Sequence, residues 1–124
     1  MVDDASPEDV EQAAKKTRLL FVDTWADWCQ PCKALSPILE ELDEKYADNP
    51  DIEFLKVNTQ EHRQFAMDNE IHAIPCVLIY FDGEPAKYEV ENPRTGGKKT
   101  VDRLIGLRPA EHYEEVISFF FGDN

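Results

Sequence analysis

The chain has 124 residues, 42% hydrophobic and 31% charged, which fits one domain around one core and leaves little room for two. Its 26 acidic against 13 basic residues give a formal net charge of −13, which argues against binding to a nucleic-acid backbone or an anionic membrane, since both need a basic surface. The longest apolar run, around Val77 to Phe81, has strand length, far short of the roughly 20 residues of a membrane span. Met1 to Ala5 are acidic and show no basic stretch followed by an apolar one, so no secretory leader is read and the expected compartment is the cytoplasm. No internal repeat, low-complexity tract or Gly/Ser-rich linker interrupts the sequence, so residues 1–124 read as a single domain. The acidic excess itself reads as solubility or salt tolerance.

In chain order, Ser6-Pro7-Glu8-Asp9 offers an N-cap, a proline at the first helical position and acids in the first turn, predicting a helix to about Lys16. Leu19 to Ala26 is an apolar, β-branched and aromatic run that reads as a strand buried on both faces, with Asp23 an anomaly inside it. From about Pro31 the spacing becomes helical: Leu35, Ile38, Leu39, Leu42 and Tyr46 line one face, opposite Glu40, Glu41, Asp43 and Glu44. Pro37 should kink that helix, which stops near Asn49-Pro50. Ile52 to Val57 is a second buried strand, and Asn58-Thr59-Gln60-Glu61 resembles a capping box that opens a helix through about Asn69. Cys76 to Phe81 is a third strand, closed by Asp82-Gly83. Tyr88 to Glu91 and Lys99 to Ile105 are expected to pair as hairpin arms around the tip Asn92 to Gly97, with Lys98 and Lys99 facing Glu89 and Glu91. Pro109 opens a last helix whose apolar face carries Tyr113, Val116, Ile117, Phe120 and Phe121. The fold class is therefore α/β, a mixed sheet of about four strands flanked by helices on both faces, with an extended C-terminal β-hairpin.

The chemistry concentrates at Trp28-Cys29-Gln30-Pro31-Cys32-Lys33, where a buried strand gives way to a helix. Cys29 would cap that helix, where free N–H groups and the positive dipole end stabilise a thiolate, the reactive form of cysteine. Cys32 lies one turn further on and is expected to be more deeply buried; it can attack a mixed disulfide formed at Cys29, giving two-step thiol–disulfide exchange. Pro31 suits the first helical turn and stiffens the loop between the sulfurs, while Gln30 tunes the redox poise. A Cys-x-x-Cys pair is also half a structural zinc site, but only Cys76 and His72 are available to complete one. No Gly-rich dinucleotide fingerprint appears, so no bound organic cofactor is expected.

The segment Val22-Asp23-Thr24-Trp25-Ala26-Asp27-Trp28-Cys29-Gln30-Pro31-Cys32-Lys33 resembles the active-site segment of the thioredoxin family, with Gln30 where the family usually has Gly. Ile74-Pro75 is similar to the family's cis-proline loop, Lys56 to its lysine on the second buried strand, and Gly106 to its glycine after the last strand, so the likeness covers nearly the whole chain. The resemblance implies that Cys29 attacks a substrate disulfide and Cys32 resolves it, and that Pro75 is cis beside the sulfurs. It also implies that the Ile74 backbone pairs with an extended substrate, with Trp28, Gln30, Pro31, Ala73, Ile74, Pro75 and Gly106 forming the docking surface. Asp23, whose pKa burial should raise, becomes the proton acceptor for Cys32, with Lys56 as modulator. The implied partners are disulfide-containing protein substrates and a thioredoxin-reductase-type electron donor, and the chain is expected to act as a monomer.

Several positions depart from the family pattern. Cys76 follows the proline where Thr is common, and reads as a small hydrophobe. His72 precedes the proline loop and could tune partner choice. The stretch between Gly83 and Gly106 is about fifteen residues longer than expected, as a tolerated surface insertion or a specificity feature. The short N-terminus leaves little room for a first edge strand. Two other readings stay open at the level of sequence: an interchange protein dedicated to one pathway, and a binding subunit whose redox activity is incidental.

Overall fold

The apolar run that reads as doubly buried forms β2 (Leu19–Trp25), the middle of the sheet. It pairs in parallel with β3 (Ile52–Asn58) and antiparallel with β4 (Cys76–Phe81), so no residue of its ladder faces a free edge. The computed structural model describes residues 1–122. Side chains of β2 alternate between two cores, as the period of a strand requires. Leu19 and Phe21 pack with Phe54, Val77, Ile79 and the apolar faces of α2 (Gln30–Lys45) and α4 (Ala110–Phe121). Leu20 and Val22 pack with Leu55, Val57, Cys76, Leu78 and the buried face of α1 (Pro7–Lys16). Phe65 from α3 (Arg63–Asp68) covers the same side. Helices thus lie on both faces, as the alternation of elements predicts.

The sheet is wider than the sequence reading. It holds six strands, and the first edge strand exists: β1 (Asp3–Asp4) pairs in parallel with β3, setting Asp3 opposite Leu55 and Asp4 opposite Lys56. Two aspartates are poor strand formers, so nothing local announces β1. Its neighbours hold it instead. Val2 is buried in the core, and its N–H donates to Glu40 Oε1 at 3.0 Å; on the other side of β1 the Ala5 N–H donates to the Lys56 carbonyl at 2.7 Å.

Helix α1 begins with a reciprocal capping box, in which Ser6 Oγ accepts the Asp9 N–H at 3.1 Å and Asp9 Oδ2 accepts the Ser6 N–H at 3.0 Å. Helix α2 runs from Gln30 to Lys45 as one helix with Pro37 inside it. Helix α3 corrects the reading of Asn58 to Glu61 as its start. Asn58 Oδ1 accepts the Gln60 N–H at 2.8 Å and Asn58 Nδ2 donates to Glu61 Oε1 at 3.3 Å, so the side chain closes a turn on itself. That local turn competes with helix, which starts only at Arg63.

The expected hairpin is also redrawn. Its second arm divides: β7 (Lys98–Val101) pairs with β6 (Tyr88–Glu91), while β8 (Arg103–Ile105) returns to β4. Between Gly83 and the hairpin, β5 (Glu84–Pro85) had already begun to pair with β4. The joint is Ile79, whose carbonyl accepts the Ala86 N–H at 2.9 Å and whose N–H donates to the Asp102 carbonyl at 2.8 Å. Residues 87–101 are therefore an excursion out of one edge strand. Within it Glu91 faces Lys98 as expected, but Lys99 faces Val90 and Glu89 faces Thr100. The apolar side sets that register, since Tyr88, Val90 and Val101 pack against the α4 core and the Tyr88 ring lies edge-on to Phe119 at 5.2 Å.

Candidate active site

Strand β2 ends at Trp25, and the buried Ala26 accepts the Cys29 N–H at 3.2 Å, which turns the chain so that Cys29 becomes the N-cap of α2. Its Sγ accepts the Cys32 N–H at 3.2 Å. A sulfur so placed receives a backbone donor and the positive end of the helix dipole, both of which favour thiolate over thiol. Cys29 and Cys32 are joined as a disulfide with Cα atoms 5.3 Å apart. Burial does not separate the two, contrary to the expectation of a deeper Cys32: in the bonded pair they are 3% and 4% exposed. The difference between them lies in hydrogen bonding and in what lies behind Cys32.

Behind it is a cavity of about 110 Å³ lined by Asp23, Trp25, Cys32, Lys33, Ser36 and Lys56. Asp23 and Lys56 are register partners on β2 and β3, so their side chains leave the sheet side by side on the α2 face. Asp23 is 4% exposed and its Oδ1 has no hydrogen-bond partner. Burial pushes its pKa up to about 7, and the Lys56 ammonium opposes that rise without cancelling it. Lys56 Nζ also lies over the Trp25 ring, 5.4 Å from its centroid. A carboxylate that titrates near neutrality beside a buried sulfur can exchange a proton with it, and the cavity is large enough for water to carry that proton.

The Ile74-Pro75 peptide is cis, as the resemblance implied, and Ile74 packs against Ala26, Cys29 and Cys32. Gly106 supports this loop through its N–H, which donates to the Pro75 carbonyl at 2.8 Å, and its φ of +91° is one that a side chain would oppose. Beside the disulfide lies a groove of about 530 Å³ whose lining includes Trp28, Ala73 and Ile74. Gln30 and Pro31 are exposed on the first turn of α2 but do not line it. The sequence reading missed the opposite wall, made by Arg63, Ala66, Met67 and Ile71, together with Thr59. Met67 sits 71% exposed on a helix, where a large apolar side chain has no packing role, so the fold and not the local sequence marks this wall.

Cys76 turns away from all of this. Its side chain joins the core on the α1 face, with Leu20, Val22 and Leu78, and burial pushes its thiol pKa up. It is buried among apolar side chains, with Thr24 and Arg103 as its polar neighbours, on the opposite face of the sheet from Cys29 and Cys32. Among the described residues no group of three or more His, Cys, Asp and Glu side chains is placed to hold a metal. No helix among them is long and apolar enough to cross a membrane.

A disulfide at a helix N-terminus, whose second cysteine lines a cavity together with a buried carboxyl group of raised pKa, fits the class of thiol–disulfide oxidoreductases. Within that class the chain belongs to the thioredoxin family, whose family model, Thioredoxin, matches residues 2–104. The thioredoxin of Staphylococcus epidermidis is 36% identical to it over 97 residues, 78% of this chain and 77% of that protein. That of Staphylococcus aureus is 35% identical over the same length. Among solved structures, a mutant thioredoxin from Halobacterium salinarum superposes with a TM-score of 0.72 at 20% identity, covering 96% of this chain and 88% of that one. Oxidised thioredoxin from Plasmodium falciparum gives 0.70 at 23% identity, with 97% and 98% covered. These structural likenesses establish the fold, and the family establishes the activity: the protein is a protein-disulfide oxidoreductase working through the Cys29–Cys32 couple.

Proposed function

We propose that the chain acts as a single-domain protein-disulfide reductase in which Cys29 attacks and Cys32 resolves. The Cys29 thiolate attacks one sulfur of a substrate disulfide, forming a mixed disulfide and releasing the other substrate sulfur as a thiolate that takes up a proton. Asp23, ionised, accepts the Cys32 proton across the shared cavity, with Lys56 steadying the charge. The Cys32 thiolate then attacks Cys29 Sγ, closing the Cys29–Cys32 disulfide and expelling the second substrate thiolate. The substrate gains two electrons and the protein loses two. A thioredoxin-reductase-type donor returns them, so the cycle needs no bound organic cofactor and belongs in a reducing compartment, the cytoplasm, with the chain working as a monomer. Trp28, Ala73 and Ile74 receive the substrate next to the sulfurs, Pro75 and Gly106 hold that rim in place, and Gln30 and Pro31 set the turn between the cysteines.

The observation that carries this assignment of roles is the Cys32 N–H donated to Cys29 Sγ at the start of α2, which favours thiolate at Cys29 and not at Cys32. The test is reduction of insulin by single serine variants. With Cys32→Ser, a mixed disulfide to substrate should accumulate at Cys29, visible as a covalent adduct by mass spectrometry. Accumulation of the adduct at Cys32 in Cys29→Ser instead would reverse the roles.

A further inference from the structure

The groove beside the disulfide differs in charge from the rest of the molecule. None of its lining residues is acidic, although the chain holds 26 Asp and Glu against 13 Lys and Arg. Its one permanent charge is the guanidinium of Arg63, exposed at the first turn of α3, with the imidazole of His72 also on the lining. Among the described residues no carboxylate pairs with Arg63. The acids nearest to it along the chain are engaged elsewhere: Glu61 accepts from Asn58 Nδ2 at 3.3 Å and Asp68 from Gln64 Nε2 at 2.7 Å. Among the described residues Lys15, Arg18, Lys45 and Arg103 form ion pairs; Arg63 is set apart from the other unpaired cations by its place on the lining of an apolar groove beside the disulfide. Around Arg63 the walls are apolar, made by Trp28, Met67, Ile71 and Ile74.

We propose that this groove selects substrate segments that carry an apolar side chain and a carboxylate close to the attacked cysteine, with Arg63 receiving the carboxylate. The inference rests on the redox role of Cys29 and Cys32 and names the substrate class of that site. At a net charge of −13 the body of the protein repels acidic segments, and salt screens that repulsion beyond about 10 Å. A guanidinium without a carboxylate of its own, exposed at the edge of an apolar wall, binds a carboxylate through paired, charge-assisted hydrogen bonds. The apolar walls supply contact area, and the cation supplies the choice between partners, which is the usual division of labour in such a groove.

The test compares two disulfide-linked peptides of one sequence, differing only in Glu or Lys two residues from the cysteine, through the ratio of their kcat/KM values. The unmodified protein should favour the Glu peptide by about tenfold at low salt. Arg63→Gln should bring the ratio near one, and Arg63→Glu should invert it. Lys87→Glu, which changes the net charge as much as Arg63→Glu but at an exposed site outside the groove, should leave the ratio as it was. An unchanged ratio in Arg63→Glu, or an equal shift from Lys87→Glu, overturns the proposal. Bis(2-hydroxyethyl) disulfide, uncharged, separates the two levels: failure of the unmodified protein to reduce it in a Cys29-dependent way overturns the redox reading, and the selectivity with it.

Discussion

The two faces of β2 treat buried polarity in opposite ways. Thr24, fully buried on the α1 face, donates its hydroxyl to the Cys76 carbonyl at 2.6 Å, and the Cys76 thiol beside it is buried with Thr24 and Arg103 as polar neighbours. One residue earlier, on the α2 face, Asp23 keeps a carboxylate oxygen without a partner beside a cavity that Cys32 also lines. One face has satisfied its polar groups and retired its sulfur. The other leaves Asp23 Oδ1, Trp25 Nε1 and Tyr113 Oη without partners, and carries the disulfide beside the first of them. The cost of an unpaired buried polar group is tolerated where chemistry uses it, and the contrast locates function on the α2 face independently of the cysteine spacing.

The contrast is broken most completely at the sulfurs. Cys29→Ser or Cys32→Ser should lower turnover in an insulin reduction assay by about a thousandfold or more, because nucleophilic exchange has no substitute donor. Next comes Asp23→Asn, which should slow reduction near neutral pH and raise stability. Because the folded-state pKa is raised from 3.8 to about 7, the folded chain retains a proton that the unfolded chain has lost between those values. Stability therefore falls as pH rises through that window and carries the full penalty above it, a ceiling of about 4 kcal/mol. The gain from Asp23→Asn should be about 2–4 kcal/mol at pH 8 and should vanish near pH 4 in denaturant titrations. A gain that persists at pH 4 would point to packing instead of charge.

On the satisfied face the effects are smaller and purely structural. Thr24→Val should cost about 1–3 kcal/mol by removing the donor to a buried carbonyl, without moving the pH profile of reduction. Smallest is Cys76→Ala, at about 1 kcal/mol with turnover unchanged. Peptide mapping after peroxide treatment sharpens the same point: a third redox-active thiol should be absent from the disulfides recovered.

What was legible from sequence follows the range of the forces involved. Strands β2, β3 and β4 and helices α1, α2 and α4 are written in hydrophobic period and end signals, and the site centre in the spacing of Cys29 and Cys32. Strand β1 was not legible because two aspartates become a strand only when the edge of β3 is offered to them. The start of α3 was misread because Asn58 can cap a helix or close a turn, and only the turn's own hydrogen bonds decide. The run from Lys99 to Ile105 looked like one arm because its division depends on two distant partners, β6 and β4. Arg63 escaped notice for a related reason: nothing in its local sequence links it to Trp28, and the fold alone brings them to one groove.

Ile79 leaves the molecule with a built-in splice point. Because Ala86 and Asp102 are hydrogen-bonded to the same residue, everything between them departs from and returns to a single rung of the ladder. The closure entropy of such a loop grows only slowly with its length, by about 0.6 kcal/mol per doubling. The exposed tip between β6 and β7 can therefore lengthen, shorten or change sequence without shifting β8, and so without disturbing the bond by which Gly106 steadies Pro75. Ornament and engine share an edge strand, yet the one can be exchanged while the other keeps running.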